Sequence, residues 1–190
     1  MSTTVDFLIS IVAQLLTTPI EVNDVAVYPT AAGARVYEPR DWPSSSSDYP
    51  AIFISCPRGQ KESLGRNQPQ FTTTETIRLL ARVDAPADSA DGNAGVVQAG
   101  LLLIKRQIEV AVIGAPLLMR QIQQISGVTS ELGINSGGER HLGELGIEME
   151  LEFFEGPDAF CAPAAVAISD MNFAFPAYPP VRLDVTLPQS

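Results

Sequence analysis

Few residues in this chain could do chemistry. Histidine occurs once, at position 141, and cysteine twice, at 56 and 161. A zinc site needs several nitrogen, sulfur or carboxylate ligands at one point, and serine hydrolysis needs a histidine between nucleophile and acid. His141 has no cysteine or second histidine at ligand spacing, so it reads as a histidine in a polar hairpin loop. Glu144, Glu148, Glu150 and Glu152 fall on one face of a strand and raise the question of paired carboxylates for acid/base work. Nothing apolar alternates with them on that face, which favours a solvated acidic surface. Ser136-Gly137-Gly138 lacks the Gly-Lys-Ser/Thr ending of a phosphate loop and reads as a turn. Cys56 lies in an apolar strand beside Pro57, where a buried, inert thiol is expected. A Cys56–Cys161 bridge stays open. Arg58, Lys61 and Arg66 are too few for a nucleic-acid footprint but suit docking onto an acidic protein surface. The sequence thus assigns no catalytic residue, cofactor site or metal ligand, and its expectation is a structural protein rather than an enzyme.

The elements that would position these residues follow from hydrophobic spacing. Val5, Leu8, Ile9, Val12, Leu15 and Leu16 draw an apolar stripe along a helix, with Thr3 as its expected cap and Thr17-Thr18-Pro19 as its end. Val25–Tyr28 and Arg35–Tyr37 read as brief strands, and Pro39–Asp48 as a loop. Tyr49–Cys56 is apolar on both faces, so a central strand is expected. Pro57–Gln70 is polar and long, and is expected to project as a loop. Phe71–Val83 alternates as a strand. A second helix is expected over Asn93–Ile113, with Val97, Leu101, Ile104, Ile108 and Val112 as its core stripe. Leu102, Leu103 and Val110 widen that stripe and call for a neighbour. Ile125–Ile134 and Leu142–Phe154 are the last strands, with Ile147, Met149, Leu151 and Phe153 facing away from the glutamates.

From Pro157 onward the composition changes: six of the 15 prolines lie there, interleaved with Phe173, Phe175 and Tyr178. The expected organisation is an α+β domain over 1–156, a mixed or antiparallel sheet packed by two main helices. A Pro/aromatic-rich extension over 157–190 would dock on its own or a neighbouring subunit, with Phe173, Phe175 and Tyr178 joining Leu102, Leu103 and Val110 as intersubunit contacts.

Charge narrows the classes. Twelve Lys and Arg against 22 Asp and Glu leave −10, a balance that repels phosphates and argues against a nucleic-acid reader. Phe7–Ala13, the longest apolar run near the amino end, is too short to span a bilayer, and two cysteines fit a reducing cytoplasm.

The order of elements resembles a known family. The aromatic-Pro-Ala-apolar strand Tyr49–Ile54, the strand-to-loop passage Ala81–Ala87 and the closing acidic/apolar strand are similar to those of tail terminator proteins of lambda-like, long-tailed bacteriophages. The likeness covers about Val5–Glu155. It departs in the length of Pro57–Gln70 and in Asp158–Ser190, which has no counterpart. The resemblance implies a homohexameric ring at the tail–neck junction of the virion, assembled in the host cytoplasm. Its partners would be the major tail tube protein and a head-completion or neck protein, with DNA passing through unbound. On that reading the four glutamates would face the channel. A head-completion (stopper) protein, an enzyme subunit completed by a partner and a small acidic cytoplasmic binding module are the competing expectations.

Overall fold

The computed structural model describes residues 3–38, 48–67, 69–86, 93–135 and 140–160. Helix α1 (Val5–Thr17) is capped by Thr4, whose side-chain oxygen accepts from the Phe7 amide at 3.3 Å. Thr3, the expected cap, instead donates its hydroxyl to the carbonyl of Gln121 at 3.3 Å and ties the helix start to a distant turn. Leu8, Ile11, Val12 and Leu16 form the buried face. The hairpin β1 (Ile20–Val22) and β2 (Val25–Val27) turns at Asn23 and Asp24, both at positive φ (52° and 62°). Asn and Asp tolerate this left-handed geometry, and its twist matches that of the flanking strands.

The main sheet has the order β3–β4–β5–β7–β6, from β3 (Val36–Tyr37), β4 (Ala51–Ser63), β5 (Phe71–Pro86), β6 (Gln124–Asn135) and β7 (Arg140–Glu155). Among the described residues, only the β3–β4 pair is parallel. The body is therefore α+β with a mixed sheet, as the hydrophobic periods indicate. Its spine is β5 against β7, paired without interruption from Phe71↔Glu155 to Pro86↔Arg140. Strand β4 is interior where its apolar letters fall: Ala51–Ile54 are buried, with Ile52 and Phe53 paired to β3 on one side and to β5 on the other, and burial stops after Ile54.

Residues 57–63 are not a projecting loop. They continue β4, and Arg58–Ser63 pair with Phe71–Thr76 of β5 past a bulge between Ser55 and Arg58. Backbone ladder bonds hold the segment although its side chains are polar, since hydrogen bonding along an edge does not require an apolar face.

Helix α2 (Asn93–Val112) lies across β5 and β7 on the face opposite the glutamates. Its first turn is fastened where the Asn93 side-chain amide donates to the Pro86 carbonyl at 2.6 Å. Val97, Leu101, Ile104, Ile108 and Val112 are its buried residues, and they meet Ile77, Leu79, Ala81, Leu145, Ile147, Met149 and Leu151 in one core. The approach is close enough that a Cβ on Gly143 would collide with Val97 and Leu101, so glycine is required there for helix and strand to touch. The short α3 (Pro116–Met119) and a final 3₁₀ turn (Pro157–Phe160) complete the body, which runs to Phe160 rather than stopping at 156. Residues 161–190, including Phe173, Phe175 and Tyr178, lie outside the described residues.

Leu101→Ala should cost about 2–5 kcal/mol because it empties a fully buried position, whereas exposed Leu102→Ala should stay within about 0.5 kcal/mol. Urea unfolding of the two variants measures the contrast.

Candidate functional site

Two surfaces stand out: the sheet face away from α2, and an apolar flank formed by α2 and the β1–β2 hairpin. The first follows from the period of β7. His141, Gly143, Leu145, Ile147, Met149, Leu151, Phe153 and Glu155 turn inward, and Glu144, Glu148, Glu150 and Glu152 turn outward. Register then decides what the glutamates meet. Arg82 lies opposite Glu144 and Arg78 opposite Glu148, while Thr76 and Thr74 face Glu150 and Glu152. Arg82 pairs with Glu144, Arg78 approaches Glu148 at 3.9 Å, and Arg58 reaches across from β4 to Glu150 at 3.4 Å. Glu152 accepts from the Gln124 side-chain amide at 3.1 Å.

The acidic stripe is therefore compensated by arginines from two neighbouring strands. Side chains of Glu144, Glu148, Glu150 and Arg78 are 40–46% exposed, so each pair contributes little to stability. Arg82 differs, with only 16% of its side chain exposed. Burial lowers its pKa, opposed by Glu144 and Tyr49. Burial likewise pushes the Tyr49 phenol up, with Arg82 pulling it down.

The three cations expected to act together are separated. Arg58 belongs to the outward ladder. Lys61 turns to the inner face, where its ammonium lies 2.5 Å from Glu155 and 5.1 Å above the Phe160 ring. Buried Thr73 donates its hydroxyl to the same carboxylate, and Phe160 meets Phe71 edge-on at 5.3 Å. Lys61 thus neutralises a buried acid while its side chain stays 42% exposed. Arg66 is exposed at the β4–β5 tip.

His141 is buried at 5% exposure rather than held in a polar loop, paired across β5 to Ala85. The alternation of β7 reaches one residue further than its apolar letters do. Its Nδ1 finds no hydrogen-bond partner among the described residues. Cys56 sits at the β4 bulge, where its thiol donates to Glu75 Oε2 at 3.2 Å. Burial first, then that hydrogen bond and the carboxylate charge, push the thiol up to about 11, so inertness is its ground state. Cys161 lies outside the described residues. Among the described residues, no group of three or more His, Cys, Asp or Glu is placed to hold a metal ion, and no helix is long and apolar enough to cross a membrane.

The apolar flank is the second surface. Hairpin register puts Ile20, Val22, Val25 and Val27 on one face, because directly paired residues share a side. All four are 44–59% exposed. Beside them a groove of about 370 Å³ is lined by Leu15, Ile20, Pro29, Arg106, Gln107, Val110 and Ala111. Gln107 is engaged, its side-chain oxygen accepting from the Ala31 amide at 2.8 Å. Along α2, Val96, Leu103 and Val110 recur every seven residues and are each more than half exposed, a second apolar stripe beside the core one. Leu102 is equally open. Sequence reasoning found Leu102, Leu103 and Val110 but missed the hairpin face, because three-residue strands carry too little period to be read.

No protein-family model matches the chain, and no curated protein matches it.

Two outcomes test these assignments. Lys61→Ala should destabilise the body by about 1–3 kcal/mol by leaving Glu155 buried without its cation, while Arg66→Ala should change stability by less than about 0.5 kcal/mol; thermal unfolding checks both. In a Cys161→Ser chain, on the order of one Cys56 thiol in a thousand is ionised at pH 8. Iodoacetamide labelling followed by mass spectrometry should therefore accelerate about tenfold per pH unit toward pH 10. Glu75→Gln should accelerate it at pH 8, since removing the carboxylate lowers the thiol pKa.

Proposed function

We propose that this chain is a structural subunit of a long-tailed bacteriophage: a tail terminator that forms a homohexameric ring, caps the tail tube at full length and presents the surface that joins the head. The observation that carries the reading is the uncovered apolar flank. One subunit leaves the β1–β2 face and the second stripe of α2 in water, and a repeated subunit contact is the direct way to remove them. The element order that resembles the terminator family supports the same conclusion, as does a sheet whose second face is solvated and polar.

The channel role of Glu144, Glu148, Glu150 and Glu152 takes a modified form. Three of them are balanced by Arg58, Arg78 and Arg82, so the face is a charge-paired ladder and not a bare acidic wall. Such a surface offers DNA neither a basic track nor an apolar one, and transit without adhesion needs no more than that. Tube protein and a neck protein are the proposed partners on the two rims of the ring.

Native mass spectrometry and negative-stain microscopy, with and without purified tail tubes, test the proposal. The expected result is a six-copy ring seated at tube ends. Leu103→Asp and Val110→Asp should abolish it while leaving thermal unfolding unchanged, because both positions are already exposed. A chain that stays monomeric beside tubes, or that caps DNA-filled heads instead, overturns the assignment; the second outcome identifies a stopper.

A further inference from the structure

The main sheet has two open edges, and they differ in character. Among the described residues, β6 is paired only by β7, and β4 from Arg58 to Ser63 only by β5. An open edge presents a row of unpaired N–H and C=O groups, which proteins usually blunt with lysine, proline, short length or a bulge. Strand β6 is 12 residues long and contains neither lysine nor proline. Its one charge is Glu131, and its bulge lies at one end, between Ile125 and Gly127. The free part of β4 is the reverse, with Arg58, Lys61 and Glu62 in six residues.

Direction makes these edges compatible. Strands β4 and β7 both run antiparallel to β5, and β6 runs antiparallel to β7. A second copy placed alongside in the same orientation therefore brings its β4 antiparallel to β6. We propose that β6 of one copy takes residues 58–63 of β4 from a second copy as its missing neighbour, joining copies head to tail through one continuous sheet. This rests on the ring reading and gives it a specific contact.

Side-chain facing limits the register. Arg58 shares the outward face with Thr76 and Glu150, and on β6 that face belongs to Thr129, Glu131 and Gly133, the partners of Glu148, Gly146 and Glu144. Setting Arg58 against Glu131 makes an opposite-charge cross-strand pair. The same register puts Gln60 beside Thr129 and lays the stem of Lys61 over Val128, which is 41% exposed in one subunit. Pairing β6 with β6 would offer Glu131 no cation, since β6 carries none, and would leave both β4 edges open. The β4–β6 contact uses both edges and repeats, and a head-to-tail contact of that kind forms a ring when its rotation closes after a whole number of copies and an open filament otherwise.

A charge exchange in the full chain tests this. Arg58→Glu and Glu131→Arg should each weaken subunit association about tenfold or more, and the double exchange should restore it to within about threefold. Both side chains are exposed, and circular dichroism checks that the variants fold. Independently, Gln60→Cys with Thr129→Cys, in a chain whose Cys56 and Cys161 are replaced by serine, should oxidise into a ladder of linked multimers. Rings that form unchanged in the single variants, or assembled rings that give no 60–129 cross-link, overturn the edge pairing and leave the ring standing. Dimers linked by Thr129→Cys alone overturn it in favour of β6–β6 pairing. If the unaltered chain never assembles, alone or on tubes, the ring reading fails and this contact with it.

Discussion

The 16-residue ladder between β5 and β7 is the constraint on which everything else depends. Side chains alternate across a strand, so pairing two long strands without a slip commits each position to one of two faces. One face is spent on the core, where α2 packs so closely that Gly143 has no room for a side chain. The other face must then carry whatever remains at the alternate positions, which is mostly threonine, arginine and glutamate, with Leu80, Leu142 and Phe154 among them. Because the helices lie on one side, the fold has two layers, and a two-layer fold leaves its second sheet face to water or to a partner.

The same ladder changes the meaning of the chain's acidity. A net charge of −10 suggests a repulsive wall when the glutamates of β7 are considered alone. In the sheet they stand beside β5 and within reach of β4, and three acquire arginines. The local field is then far smaller than the formal charge implies. What the ring reading takes from this surface is an absence of adhesion, which paired charges supply as well as bare acids do. The apolar demand for a neighbour lies elsewhere, on the outer flank of α2 and on the small hairpin beside it.

Several polar residues are absorbed by structure instead. Lys61 and Glu155 meet on the inner face only because a bulge in β4 resets which residues point inward after Ser55. The cluster they form with Thr73, Phe71 and Phe160 holds the end of β7 against the β4–β5 arm. His141 is enclosed by the continued alternation of β7, whereas Cys56 is only half-buried, not buried as its apolar strand suggests, and its thiol is held by Glu75.

Local periodicity was legible from the amino acids themselves. The five buried residues of α2, the two faces of β7 and the existence of both long helices and the long strands follow from spacings of 3.6 and 2, which covalent geometry imposes on any chain. Exposure of Leu102, Leu103 and Val110 followed too, since a stripe wider than one sheet can cover must be left over. The extent of β4, the place of His141 and the separation of Arg58, Lys61 and Arg66 were not legible. Each depends on a partner strand far along the chain, and nothing in residues 57–63 says that residues 71–76 will bond to them. Tertiary structure alone decided which charge meets which, because register is a property of two segments at once and a single residue's shift would reverse every face.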